Sequence, residues 1–119
     1  MNEHEKINYV EFSTRNITET KKFFTLVFAW AFEDYGSEYS AFSGEGLDGG
    51  FFQSDKFSST NNGAALIIFF SDNLEETLIK VQHFGGGIIR DIFSFPGGRR
   101  FHFKEPGGNE FAVWSDVGA

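Results

Sequence analysis

The chain has no cysteine, which excludes disulfides, thiolate nucleophiles and zinc-finger sites together and is compatible with a reducing compartment. Histidine is scarce, with only His4, His83 and His102, so an imidazole-rich metal site has little to draw on. No run approaches the roughly 18–20 apolar residues of a membrane span. The start, Met1 to Lys6, has neither the basic segment nor the apolar segment of an export signal. Ten basic residues face 17 acidic ones, a formal charge of −7 that repels nucleic acid and anionic membranes alike. Neither partner is expected, and a cytoplasmic location is.

What is present in excess is phenylalanine, 17 residues in a chain of 119. With no low-complexity run to hold them, they must fill a core or line an apolar pocket. A chain of this length forms one domain, spanning 1–119, and buries about two-thirds of the surface it exposes when unfolded.

The pattern also repeats. Ile7 to Phe12 reads as a strand leading into Asn16, Thr18, Glu19 and a helix, and 57 residues on (16 to 73) Leu66 to Phe70 leads into Asn73, Glu75, Glu76 and another. The first helix carries an apolar stripe of Ile17, Phe23, Phe24, Val27 and Phe28, and the second carries Leu74, Leu78, Val81 and Phe84 before Gly85 stops it. Trp30 to Glu33, Tyr39 to Ser43 and Gly50 to Gln53 are short strands in the first half, with Gly44 to Gly49 as a turn. Ile88 to Phe95, Arg99 to Lys104 and Glu110 to Trp114 are their counterparts in the second. Ala64 to Phe70 is so continuously apolar that it reads as a strand covered on both faces. The chain therefore divides into a βαβββ module at about 5–55, a polar connector at about 54–63, and a second module at about 64–116.

Three stretches in this order resemble the vicinal oxygen chelate superfamily of glyoxalases, bleomycin-resistance proteins, fosfomycin-resistance enzymes and extradiol dioxygenases. They are Tyr9-Val10-Glu11-Phe12 before Asn16 and Phe23-Phe24, Asp72-Asn73-Leu74 to Gly85-Gly86-Gly87, and Phe103 to Trp114 with its acidic-Pro-x-Gly-Asn turn. The resemblance implies an α+β fold, two paired βαβββ modules curling a mixed sheet around a cleft, usually in a homodimer. It also implies where a divalent metal would be held in relatives. Those slots here contain Tyr9, Leu66 and Ala112, and the strand around Gly49 to Gln53 offers no carboxylate or imidazole. Such a site requires several converging N or O donors. No metal and no other cofactor is expected.

Strand alternation gives the cleft face. With Val10, Phe12, Phe111 and Val113 toward the helices, Tyr9, Glu11, Glu110, Ala112 and Trp114 face the cleft, joined by Arg100, His102 and Lys104. A hairpin pairing Lys104 with Glu110 sets His102 opposite Ala112 and Arg100 opposite Trp114. Glu11, on a strand expected to be partly dry, is a candidate general base, or else a carboxylate paired with Arg100, Lys104 or Tyr9. His102 is a candidate proton shuttle or a strand histidine bonded to a neighbour. Arg99, Arg100 and Lys104 form the one basic cluster, suited to an anion beside the Trp114 indole or simply balancing acidic groups.

Pro96-Gly97-Gly98 and Pro106-Gly107-Gly108 read as hairpin turns, because neither a helix nor a Lys-Ser/Thr pair follows them. The first functional expectation is a protein that holds a small aromatic or anionic ligand between Tyr9, Phe52, Leu66, Arg100, Ala112 and Trp114. The alternative is a metal-independent lyase or isomerase using Glu11 and His102, and a third possibility is a scaffold kept for a protein partner.

Overall fold

Asn16 and Asn73 occupy the same place in two copies of one local structure. In the computed structural model, which describes residues 2–117, the Asn16 side chain accepts the Glu19 N–H at 3.1 Å and the Asn73 side chain accepts the Glu76 N–H at 3.2 Å. Each caps a helix by satisfying a first-turn donor that has no partner within the helix. The residue two before each cap repeats as well: Thr14 bonds Thr20, and Ser71 bonds Thr77, hydroxyl to hydroxyl at 2.7 Å. The repeat seen in the letters is thus a repeat of hydrogen bonds. Met1, Gly118 and Ala119, inside the expected 1–119 span, lie outside the described residues.

The first module is β1 (Tyr9–Thr14), α1 (Ile17–Phe28), β2 (Phe32–Asp34), β3 (Tyr39–Glu45) and β4 (Leu47–Gln53). The second is β5 (Ile67–Phe70), α2 (Leu74–His83), β6 (Gly87–Phe95), β7 (Gly98–Lys104) and β8 (Glu110–Ser115). Each makes a four-stranded mixed sheet of equivalent order, β1-β4-β3-β2 and β5-β8-β7-β6, with one parallel pair, β1 with β4 and β5 with β8. This is the expected α+β architecture. A 3₁₀ turn, Thr60–Asn62, interrupts the connector.

Differences from the sequence reading have local causes. Trp30 leaves the strand register and enters the core, 4.6 Å from the Phe24 ring, so β2 starts at Phe32. The expected turn from Gly44 to Gly49 is tighter: β3 and β4 run on either side of Gly46, whose φ of 101° turns the chain in one residue. β5 is not covered on both faces, since Ile68 and Phe70 are 43% and 54% exposed. It lies at the edge of its sheet, and among the described residues no element covers the face that carries Ile68 and Phe70.

One core joins the modules. The Phe24 ring of α1 lies 5.5 Å from Phe51 in the first sheet and 5.3 Å from Phe111 in the second, and all three are fully buried. The turn after β7 adds polar stitching. Buried Glu105 accepts the Thr20 hydroxyl of α1 at 2.7 Å and the Gly107 N–H at 2.6 Å, while Asn109 donates to the Ser13 carbonyl at 2.8 Å. Burial pushes the Glu105 carboxyl above the usual carboxylate range, against the pull of these donors.

Candidate functional site

The faces of both sheets turned away from the helices hold the expected residues, and they sort into separate groups. On the second sheet, β7 and β8 pair Lys104 with Glu110, His102 with Ala112 and Arg100 with Trp114, the register expected from the hairpin. Alternation then sends Arg100 and His102 to one face and Arg99 to the other. Arg99 makes a forked pair with Glu75 of α2, which holds that carboxyl below its ordinary range. The expected Arg99–Arg100 cluster is therefore split by the strand itself, since adjacent residues on a strand cannot share a face.

Arg100, His102 and Glu110 form a chain of hydrogen bonds. Arg100 donates from Nη2 and Nε to His102 Nε2 at 2.9 and 3.3 Å, and His102 Nδ1 lies 3.0 Å from Glu110 Oε2. A guanidinium has no acceptor, so Nε2 must be the lone-pair nitrogen and Nδ1 carries the proton given to Glu110. The other Glu110 oxygen accepts the Thr60 N–H at 2.8 Å and its hydroxyl at 2.9 Å. Burial raises the Glu110 carboxyl, but the His102 and Thr60 donors outweigh it and leave it below its ordinary value. Ala112, fully buried opposite His102, brings no polar atom to this face.

Around this chain lie aromatic rings. Trp114 packs against Phe70 at 5.2 Å and Phe95 at 6.2 Å, and Ile68, Phe95, Arg100 and Trp114 line a hollow of about 250 Å³. The guanidinium of Arg90 sits 3.6 Å above the Phe93 ring, and that of Arg100 lies 5.7 Å from the same ring.

The first sheet holds a different set. Tyr39 leans across Gly50, donates to Glu11 at 3.0 Å and takes a hydrogen bond from Tyr9. Burial first, then these two partners, drives the Tyr39 phenol well above its ordinary range. Glu11 itself is exposed. The partly dry strand expected there is open because Glu11 pairs with Gly50 on β4, which offers no side chain to cover it. No ion pair joins Glu11 to Arg100 or Lys104 among the described residues. Phe52 stands on this face beside Tyr39, 40% exposed. Leu66 belongs to neither group and lines a third, larger hollow of about 610 Å³ with Val10, Phe12, Trp30 and Ile67. That hollow is mainly apolar, and the one charged side chain in its lining, Glu45, is a carboxylate that repels an anion.

The residues in the superfamily's metal slots do not fit a metal. Tyr9, Leu66 and Ala112 offer one phenol and no carboxylate or imidazole, Gly50 stands where β4 matches Ala112, and no three His, Cys, Asp or Glu converge among the described residues. The groups the sequence reading left out of the site are Glu110 as a partner of His102, together with Thr60, Arg90, Phe93 and Tyr39. Alternation on β8 already placed Glu110 on this face. Nothing in the sequence tied the connector residue Thr60 to it.

A family model described as the Glyoxalase/Bleomycin resistance protein/Dioxygenase superfamily matches residues 6–113. Among solved structures, a glyoxalase/bleomycin resistance protein/dioxygenase family enzyme from Burkholderia phytofirmans superposes with a TM-score of 0.77 at 14% identity, over 94% of this chain and 99% of that one. A lactoylglutathione lyase from Agrobacterium tumefaciens gives 0.71 at 14%, over 93% of each chain. A fosfomycin resistance protein from Listeria monocytogenes gives 0.73 at 15%, over 97% and 94%. No curated protein matches the sequence. At these identities the likeness is one of fold. No helix of the described residues is long and apolar enough to cross a membrane.

Proposed function

The chain belongs to the glyoxalase/bleomycin resistance protein/dioxygenase superfamily, and from that premise we propose that it is a member that binds a small aromatic or anionic ligand on its second sheet without using a metal. The observation that carries this reading is Arg100, held by His102 and Glu110 beside the Trp114 indole and the Phe95 ring, with no carboxylate within ion-pair distance among the described residues. A positively charged fork fixed at the edge of an apolar hollow suits a flat ligand bearing negative charge.

The lyase or isomerase alternative gains no comparable support. Glu11 bonds Tyr39 on the first sheet and His102 bonds Glu110 and Arg100 on the second, with no hydrogen bond between the two groups. A homodimer belongs to the same proposal. Both sheets expose apolar side chains that a second copy would cover, Tyr9 and Phe52 on the first and Phe70 on the second. A cytoplasmic location is proposed on the cysteine-free composition.

A thermal-shift screen against small aromatic and anionic metabolites tests the binding reading. Ligand at a hundredfold excess over its dissociation constant adds about 2.7 kcal/mol of stability. The expected result is a shift with one ligand class that Arg100→Ala and Trp114→Ala both abolish. No shift with any class, or shifts insensitive to both substitutions, would remove the reading.

A further inference from the structure

Two arginines on the second sheet are held but not neutralised. Arg90 on β6 pairs with His102 on β7, and after a bulge Phe93 pairs with Arg100, so the bulge returns Phe93 to the same face as Arg90. Both guanidiniums lie within 6 Å of the Phe93 ring. Stacking against a ring occupies the planar face of a guanidinium and leaves its N–H edges free. Arg100 gives Nε and Nη2 to His102, and no acceptor among the described residues takes Nη1.

Among the described residues no carboxylate reaches either arginine. Arg99, one residue away on the opposite face, has Glu75, and Lys21 has Asp34. Asp91, next to Arg90, accepts the Ile92 N–H of its own bulge at 2.8 Å. What sets Arg90 and Arg100 apart is that both guanidiniums lie against one ring, that of Phe93. Two like charges on one face repel, and an anion between them would relieve both. The adjoining hollow of about 250 Å³ is smaller than the roughly 300–1,000 Å³ of drug-sized sites, which limits the apolar body to about one ring.

We propose that this face binds a one-ring aromatic carboxylate, its anion taken by the free edges of Arg90 and Arg100 and its ring set against Trp114 and Phe95, with His102 and Glu110 as positioning residues for Arg100. The inference rests on the binding reading above and narrows it to a ligand class. His102 is the acceptor that fixes the Arg100 fork, and Glu110, itself fixed by Thr60, selects the tautomer that leaves Nε2 free to accept. Remove that acceptor and the arginine keeps its charge but loses its aim.

The test is an NMR titration of the full chain with benzoate, benzamide and phenyl phosphate, followed at the Trp114 indole N–H, a method that reads even roughly millimolar binding. Benzoate is expected to bind at least tenfold tighter than benzamide, its neutral counterpart, and tighter than phenyl phosphate. Arg90→Gln, an exposed position whose change leaves the core intact, is expected to weaken benzoate at least fivefold. His102→Leu is expected to weaken it about tenfold, whereas His102→Gln, which keeps an acceptor, is expected to restore most of the affinity. That rescue separates a positioning role from a merely structural one. Equal affinity for benzoate and benzamide, or no effect of Arg90→Gln, overturns the carboxylate assignment. If phenyl phosphate binds best, the carboxylate class is overturned while the binding reading stands. If no compound in this set or in the thermal-shift screen moves the Trp114 signal, both fall together.

Discussion

Glu110 shows how a single side chain acquires a role from what surrounds it. It opens a strand that continues through Phe111, Ala112, Val113 and Trp114 to Ser115, and its two oxygens are used by His102 on one side and Thr60 on the other. These donors hold its carboxyl below the ordinary 4.5, so the stability it contributes is present in full above that value and is lost as pH falls through the lower folded value. Glu110→Gln should cost about 1.5–3 kcal/mol at neutral pH, the range for hydrogen bonds to a charged group. In urea denaturation the gap between variant and parent should narrow once pH falls below 4.5 and close as pH passes the lower folded value; a gap that persists in acid would mean that the charge is not what matters. His102 was legible as a strand residue near Arg100 and opposite Ala112, because period-two alternation and a hairpin register are local properties. Its bond to Glu110 depends on Thr60 holding the carboxylate, a contact from the connector that no local pattern encodes.

Each helix is capped by asparagine, but the two helices end differently. α2 is followed by Gly85 with φ 101°, whereas α1 ends on Ala29 with φ 59° and ψ 34°, a left-handed conformation that a Cβ disfavours. Ala29→Gly should therefore stabilise the protein by about 0.5–1 kcal/mol, the strain relieved exceeding the chain entropy added to the unfolded state. A lower melting temperature in a thermal scan would show that the Ala29 methyl is used elsewhere. Gly107, in the turn between β7 and β8, is under the opposite constraint: a Cβ there would run into the hydroxyls of Thr14 and Thr20, where the second module is tied to the first. Gly107→Ala should destabilise by about 1–3 kcal/mol, as overpacking does, measured by the same denaturation. The existence and order of all eight strands and both helices could be read from periodicity and turn residues. The exposure of Ile68 and Phe70 could not, because an apolar run looks the same whether its second face is covered within the chain or left open.

At the scale of the molecule, the two sheets share no ladder among the described residues, and packing joins them: α1 bridges both, beside the direct Phe12–Phe111 contact and the turn after β7. Phe24 touches rings of both, so Phe24→Ala should cost about 3–5 kcal/mol and leave a single unfolding transition rather than two. Two resolved transitions in calorimetry would show that the modules fold independently. The open faces on the two sheets set the other expectation, that sedimentation gives twice the 13.4 kDa of one chain. With Tyr9, Leu66 and Ala112 in the metal slots of the superfamily scaffold, the ligand is proposed to bind through Arg100 and Trp114 instead. The direct measurement is the affinity for the tightest small-molecule binder after exhaustive dialysis against a chelator, repeated with zinc or manganese added in excess. The dissociation constant is expected to be the same in both, within about twofold, and binding to be lost in Arg100→Ala. Binding that appears only when the metal is restored would contradict that proposal.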